Sequence, residues 1–263
     1  FLDPETGEPI GERIPLRSPV EVEYVDGAFW VLDIEPRALH RIDPESRAIT
    51  ASMSLAFDVG TWLVDGNTIW ITERIGKNIT RIDPINGTRL SSLPVPNVNQ
   101  SAGQDGLLGM EFDPNYNNTH HIYVAYTYDA DSSEQPDRRT KITRFTYDPA
   151  SNTISEPIDL ISGISGSSDH NSGRMTFGPD GKLYYTIGDQ GKNQLALFCL
   201  NNRAQHLPTA EQIAAKNWTA YEGKVLRMNS DGSIPDDNPV IEGVKSHIFT
   251  YGHRNAQGIE VGP

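Results

Sequence analysis

Three polar side chains, Gln104, His170 and Arg254, stand at nearly equal distances before a proline. The distances are ten, nine and nine residues, and the prolines are Pro114, Pro179 and Pro263. Each proline ends a segment in which apolar and polar residues alternate, the pattern of a half-buried strand. Equal offsets on equivalent strands place side chains at the same strand end, so we expect these three side chains to converge.

Residues 188–194 carry Asp189 and Gln194 and form the loop between the second and third strands of their blade. Strand polarity places this loop on the same face as Gln104, His170 and Arg254, so we expect it there. A histidine beside a carboxylate can act as a general base, since the carboxylate fixes the imidazole tautomer. His170 follows Asp169 in a stretch rich in Ser and Gly, so a solvated turn histidine is the alternative. Arg254 would either stabilise negative charge on an acceptor or form a structural pair with an aspartate.

A unit of three strand types recurs along the chain. An arginine between apolar neighbours stands in four such strands, at Arg41, Arg81, Arg144 and Arg227. An aromatic strand precedes each arginine, at residues 29–34, 69–73, 122–127 and 183–187. The strands that end in proline are at residues 110–114, 175–179 and 259–263. All three types alternate with period two.

This repeat predicts an all-β protein, a β-propeller of four-stranded antiparallel blades, with a β-sandwich as the alternative. Asp-Gly pairs at residues 26–27, 65–66 and 180–181 provide turns, and helical periodicity is almost absent. We expect one domain over residues 1–263 that holds about four blades and the first strand of a fifth. It would be incomplete at its carboxyl end, and residues 1–55 would form an extra or atypical first blade.

The loops grow along the chain while the repeat stays constant. The aromatic strand and its arginine are 11 residues apart from Trp30 to Arg41, and 43 residues apart from Tyr184 to Arg227. Enlarged loops on a rigid scaffold often carry function. In the largest loop, a capping box of Thr209 and Gln212 predicts a helix over residues 210–216.

The composition excludes several classes of protein. A formal net charge of −13 argues against nucleic-acid binding. No apolar stretch approaches the roughly 20 residues that a transmembrane helix needs. A single cysteine, Cys199, excludes an intrachain disulfide. Five Asn-X-Ser/Thr sequons agree best with simple richness in Asn and Thr and add only slight support for an exported protein: Asn78, Asn86, Asn99, Asn117 and Asn217.

Four segments in the same order resemble the soluble PQQ-dependent glucose dehydrogenases, which are six-bladed propellers. They are residues 103–109 (GQDGLLG), 169–174 (DHNSGR), 184–195 (YYTIGDQGKNQL) and 252–258 (GHRNAQG). Residues 202–206 and 231–235 look like the same family, so the resemblance runs from about residue 65 to the end. The first blade matches nothing diagnostic.

The resemblance implies roles for seven residues. His170 would take the proton from the anomeric hydroxyl of an aldose sugar while hydride passes to PQQ, and Asp189 would orient His170. Arg254 would lie beside the reacting quinone carbonyl, and Asn255 would contact PQQ. The side chains implied to bind sugar hydroxyls are Gln104, Asp169 and Gln194. A calcium ion would bind PQQ and polarise its carbonyl.

The resemblance has departures. The calcium ligands of the family and most of its PQQ contacts follow the segment that matches Arg254, and Ala256 replaces a proline usual in the family. An exported enzyme, periplasmic or secreted, would act on a sugar and an external electron acceptor, and a homodimer is compatible with it. The alternative is a non-catalytic propeller that binds a partner, resembling the domain of hedgehog-interacting proteins.

Overall fold

The computed structural model describes residues 5–25, 27–66, 68–85, 87–101, 103–131, 133–260 and 262. Asp26, Asn86, Val261 and Pro263 therefore lie outside the described residues. The predicted Asp-Gly turn at residues 26–27, the sequon at Asn86 and the strand-ending Pro263 are therefore not fully described.

The described strands form four antiparallel sheets of four strands and one sheet of two strands, and in the first three blades each strand pairs with the next along the chain. The first blade contains β1 (Pro19–Val25), β2 (Ala28–Ile34), β3 (Arg37–Ile42) and β4 (Ile49–Ser54). The second blade contains β5 (Val59–Asp65), β6 (Thr68–Glu73), β7 (Asn78–Ile82) and β8 (Arg89–Pro94). The third blade contains β9 (Leu107–Phe112), β10 (His121–Asp129), β11 (Arg138–Asp148) and β12 (Thr153–Ser165).

In the fourth blade, a long connection separates the inner strands from the outer ones. Its strands are β13 (Ser172–Phe177), β14 (Leu183–Ile187), β15 (Lys224–Met228) and β18 (Ile248–Tyr251). A small hairpin of β16 (Val240–Ile241) and β17 (Val244–Lys245) stands between β15 and β18. Successive meanders of four strands confirm the predicted all-β propeller architecture.

The four repeats share one register. The arginine of every third strand lies opposite an aromatic residue of the second strand. These cross-strand pairs are Arg41 with Trp30, Arg81 with Trp70, Arg144 with Tyr123, and Arg227 with Tyr184. Because side chains alternate across a strand, a common register gives every blade the same buried face.

Apolar side chains from neighbouring blades form three shared buried clusters. Trp30 of the first blade packs with Trp62 of the second, both 4% exposed. Trp70 joins the second blade to the third, and Tyr185 joins the fourth to the third. This burial between blades fixes their order and holds the connecting loops on a rigid base.

Three short helices interrupt the strands in the described residues: α1 (Tyr116–Thr119), a 3₁₀-helix (Leu195–Leu197) and α2 (Ala210–Ala214). The predicted capping box is present, since Gln212 N donates to Thr209 Oγ1 at 3.2 Å. The helix ends at Ala214, two residues before the predicted end. None of the helices in the described part of the chain is long and apolar enough to cross a bilayer.

The first strand of a fifth blade, predicted over residues 259–263, is not observed in its described residues. Ile259, Glu260 and Gly262 have no regular structure, and no described strand pairs with them. A strand is stable only beside another strand, because its N–H and C=O groups otherwise lack partners. The fifth blade therefore stays a prediction.

Candidate active site

One end of the third and fourth blades carries the predicted site residues. Gln104 precedes β9 and His170 precedes β13, while Asp189 follows β14 and Arg254 follows β18. In an antiparallel meander, the start of the first strand and the ends of the second and fourth strands lie at the same edge. The structure thus brings the side chains of these residues together.

His170 and Asp189 form the centre of the site. His170 Nδ1 lies 2.7 Å from Asp189 Oδ1. A carboxylate oxygen only accepts, so Nδ1 carries the proton and Nε2 of the neutral imidazole is left as an acceptor. The His170 side chain is 12% exposed, so the imidazole is largely buried at the surface of the site.

The Asp189 carboxylate is completely buried and surrounded by donors. Oδ1 also accepts from Gly191 N at 3.0 Å, and Oδ2 accepts from Arg254 Nη1 at 3.2 Å. A further donor, Asn202 Nδ2, lies 2.6 Å from Oδ2. Buried charge is costly unless it is hydrogen bonded, and these donors hold Asp189 in one orientation.

Arg254 forms the aspartate pair that was one of its two predicted roles, and its role towards an acceptor stays a prediction. It pairs with Asp189, yet 51% of its side chain remains exposed. Its Nη2 donates to Gln194 Oε1 in a short hydrogen bond. A cation that is tied down on one side and open on the other can still donate to a bound molecule.

Gln194 bridges the base and the cation. Its Nε2 lies 3.1 Å from His170 Nε2 and 3.1 Å from Asp169 Oδ2. The amide thus donates to the acceptor nitrogen of His170 while its oxygen accepts from Arg254. A hydroxyl that reached His170 Nε2 would replace this amide N–H, so Gln194 marks the place of a polar ligand.

Gln104 and Asn255 form a further part of the site. Asn255 Nδ2 donates to Gln104 Oε1 at 3.0 Å, and Asn255 Oδ1 accepts from Ser172 Oγ at 3.0 Å. Both amides lie on the exposed rim.

The backbone around the base is unusually tight. A side chain at Gly188 would place its Cβ 1.9 Å from the carbonyl oxygen of His170, so only glycine fits there. His170 has a φ of 49°, and Gln190 has a φ of 65°. Left-handed backbone is strained for these residues, and such strain clusters at functional sites.

Two residues near the site have no motif or spacing that singles them out in the sequence. Asn202 contacts Asp189, and Lys224 at the start of β15 is fully buried below the loop that carries Asn202. Asn202 lies within the long connection between β14 and β15, and Lys224 directly follows it. Periodicity carries no information in this connection. The resemblance of residues 202–206 to the dehydrogenase family was the available signal.

A separate acidic cleft of about 1020 Å³ lies between the inner strands of the blades. It is lined in part by Glu23, Glu111 and Glu260. Burial, helped by the negative charges of Glu260 and Glu23, raises the pKa of Glu111 to about 7. Burial also raises the pKa of Glu23 above its usual range. Sequence analysis did not single out this cleft.

No group of three or more His, Cys, Asp or Glu side chains within the described ranges is arranged to hold a metal ion. Calcium, which the resemblance implies, therefore stays a prediction. Its expected ligands follow the Arg254 segment in the family, so the described residues do not test it.

Comparison with known proteins gives a consistent result. The family model described as Glucose / Sorbosone dehydrogenase matches residues 54–263. Quinoprotein glucose dehydrogenase B of Acinetobacter calcoaceticus is 48% identical over 200 residues, which are 75% of this chain and 42% of that protein. An aldose sugar dehydrogenase of Escherichia coli (strain K12) is 29% identical over 176 residues, 64% of this chain and 40% of that protein.

A solved structure supports the same relationship. The PQQ-bound form of aldose sugar dehydrogenase from Streptomyces coelicolor superposes with a TM-score of 0.61 at 29% identity, covering 77% of this chain and 53% of that one. The chain thus spans about half the length, or less, of these relatives. The family match begins at residue 54, where the first blade ends, and covers every site residue described above. This chain therefore belongs to the glucose/sorbosone dehydrogenase family.

Proposed function

We propose that this protein takes part in the PQQ-dependent oxidation of an aldose sugar, such as glucose, to its lactone. The observation that carries the proposal is the contact of His170 Nδ1 with buried Asp189, with Arg254 and Gln194 at the open side. Quinoprotein and PQQ-bound relatives in the same family support the choice of cofactor.

The donors at the open side fit the quinone end of PQQ. Its quinone and carboxylate oxygens are all acceptors, and the site offers the half-exposed Arg254 guanidinium and the Asn255 amide as donors. Arg254 would hold the reacting carbonyl oxygen, and Asn255 would contact the same end. A cation placed where negative charge develops favours the transition state over the ground state. When bound, PQQ would supply the two-electron acceptor for hydride from the sugar.

His170 would act as the general base. Its Nε2 would accept the proton of the anomeric hydroxyl as the hydride leaves the same carbon, so that this carbon becomes the lactone carbonyl. Asp189 would hold the ring in place and stabilise the imidazolium that results. The hydroxyl of the sugar would take the position of the Gln194 amide at Nε2.

Three polar side chains would bind the remaining sugar hydroxyls. Gln194 and Asp169 already contact each other at 3.1 Å beside the base. Gln104 stands across the opening, next to Asn255. The two amides can donate to and accept from hydroxyls, and the carboxylate can accept from them. This combination suits a polyhydroxylated substrate.

The finer features of the proposal follow from the resemblance. Calcium would assist PQQ, an external acceptor would reoxidise the cofactor, and the protein would act in the periplasm or medium. Removal of calcium with a chelator would then abolish PQQ binding, and calcium alone among added salts would restore it. Magnesium added in the same amount is the control for a general effect of divalent charge.

The test is a calorimetric titration of PQQ into the purified protein with calcium present. Glucose is then added while the quinone absorbance is followed. Tight binding and bleaching by glucose, with no bleaching by a non-reducing sugar alcohol, are the expected results. Absence of PQQ binding by this chain, with binding by a longer one, would mean that the cofactor site needs residues outside this sequence. Absence of binding by both would contradict the proposal and favour the partner-binding alternative.

A further inference from the structure

The orientation of Asp189 depends on groups outside the residues already assigned a role. Its Oδ1 is shared by His170 and Gly191 N. Its Oδ2 has Arg254, whose side chain is half exposed and also bound to Gln194. A bound ligand would compete for that guanidinium, so a second, independent donor to Oδ2 determines whether the carboxylate keeps its orientation.

Asn202 supplies that donor. Its Nδ2 lies 2.6 Å from Asp189 Oδ2, nearer than the 3.2 Å of Arg254 Nη1. Its Oδ1 accepts from Ala204 N at 2.8 Å. With both ends of the amide engaged, its rotation is restricted and its N–H points at Asp189.

The segment that carries Asn202 has no regular structure and needs an anchor of its own. Residues 201–208 contain neither helix nor strand. The carbonyl of Ala204 accepts from Gly252 N at 2.9 Å, which ties the segment to the end of β18 just before Arg254. The same carbonyl accepts from Lys224 Nζ at 2.8 Å.

Lys224 is the buried anchor of this segment. Its side chain is fully buried, and Nζ donates to the carbonyls of Ala204, Glu222 and Arg203 at 2.8, 2.7 and 3.3 Å. An ammonium has three donors, and all three are engaged. Burial lowers the pKa of Lys224 to about 8, while the charge of Glu222 opposes that shift. Burying a lysine ammonium costs free energy, and it is tolerated only when its donors are hydrogen bonded.

We infer that Asn202 and Lys224 form a positioning pair for the base: Lys224 holds the 202–204 segment, and Asn202 holds Asp189 against His170. Neither residue touches the reacting atoms. The inference rests on the proposed function for its chemical meaning, but its geometry can be tested without PQQ or sugar.

The test uses the protein without cofactor and labels histidine with ¹⁵N. The Nδ1 proton of His170, held 2.7 Å from Asp189, should give a low-field signal that exchanges slowly with water. The signal is assigned by its loss in His170→Ala. We expect Asn202→Ala to speed this exchange roughly tenfold or more, because Asp189 then turns away from Nδ1.

A double-mutant cycle tests whether Lys224 acts through Asn202. Lys224→Met keeps most of the buried stem and should also speed the exchange, and adding it to Asn202→Ala should add little. Urea unfolding of each variant shows that it is folded. If Lys224→Met does not fold, Asn202→Ala alone decides the role of Asn202.

Two matched substitutions serve as controls. Asn201 is the exposed neighbour of Asn202, and Lys216 is an exposed lysine. Asn201→Ala and Lys216→Met should leave the His170 signal unchanged. An unchanged signal in folded Asn202→Ala, or fully additive effects in the cycle, would overturn the positioning pair.

Turnover provides a second readout that separates this inference from the proposed function. In protein loaded with PQQ, Asn202→Ala should lower kcat roughly tenfold or more at unchanged KM and PQQ affinity, as misplacement of a base does. An equal change in PQQ affinity would instead mean a structural role. If the parent protein does not oxidise sugars, the proposed function fails while the exchange experiment still decides the positioning pair.

Discussion

Carboxylates in two regions of this protein have opposite electrostatic surroundings. At the site, buried Asp189 meets four donors from a histidine, an arginine, an asparagine and a backbone N–H. In the acidic cleft, Glu111 accepts from Phe112 N at 2.9 Å and has Glu23 and Glu260 as like-charged neighbours.

The difference shows what a buried carboxylate is suited to do. Asp189 is fixed as an acceptor and can orient a base. Burial raises the pKa of Glu111 to about 7, so that it exchanges a proton near neutral pH. Burial is the main cause of the raised pKa of Glu111, and its like-charged neighbours add to it.

The largest expected effect comes from removing the base that Asp189 orients. His170→Ala in PQQ-loaded protein should lower kcat by several hundredfold or more, in the range of about 10²–10⁴ for loss of a general base. Steady-state kinetics with glucose measure it. His40→Ala on the first blade is the control, and an unchanged kcat in His170→Ala would rule out the base.

Next in size is the loss of the carboxylate itself. Asp189→Asn keeps the shape but offers an amide, which can present a donor to Nδ1 and favour the wrong imidazole tautomer. We expect kcat to fall about a hundredfold with PQQ affinity retained, as measured by kinetics and calorimetry. Asp231→Asn, in a distant turn, is the matched control. Equal losses in both variants would show that Asp189 has no special part.

A smaller effect on kcat is expected from replacing the Arg254 guanidinium. Arg254→Lys keeps the charge but loses the guanidinium geometry that reaches Asp189 and Gln194 at once. The expected loss in kcat is about tenfold, with a weaker PQQ affinity by calorimetry. Arg41→Lys on the first blade is the control. Full activity of Arg254→Lys would mean that charge alone matters at this position.

A different kind of effect is expected on folding stability, through Glu111 of the acidic cleft. Folded Glu111 keeps its proton up to about pH 7, whereas unfolded Glu loses it near 4.5. The folded state therefore binds more protons across this window, and its stability falls as pH rises through it. Glu111→Gln should remove up to about 3 kcal/mol of this pH dependence.

Urea unfolding at about pH 5 and about pH 8 measures the effect. Glu45→Gln, at an exposed position, is the control. If the parent and Glu111→Gln lose stability equally between the two pH values, the contrast between the two carboxylate regions is wrong.

The sequence predicted the site better than it predicted the ends of the chain. Period-two alternation and the recurring arginine placed the second and third strands of every blade, because the same buried face recurs. Offsets from strand ends were enough to bring Gln104, His170 and Arg254 to one edge. The same alternation at residues 259–260 stays a prediction, since no partner strand is described there.

Asn202 and Lys224 could not have been assigned from pattern alone. They meet through a connection of more than 30 residues that has no periodicity, and their contacts are to backbone carbonyls and one buried carboxylate. Any residue type can offer a backbone carbonyl, so nothing in the local sequence identifies these partners.

The sequence by itself determined the all-β repeat, the strand faces and the edge on which the polar residues stand, because these depend on side-chain alternation and on local turns. Only the tertiary structure decided which donors surround Asp189, which nitrogen of His170 contacts it and which carboxylates face one another in the cleft. Those outcomes depend on distances between segments far apart in the chain, and such distances are set by the packing of blades on one another.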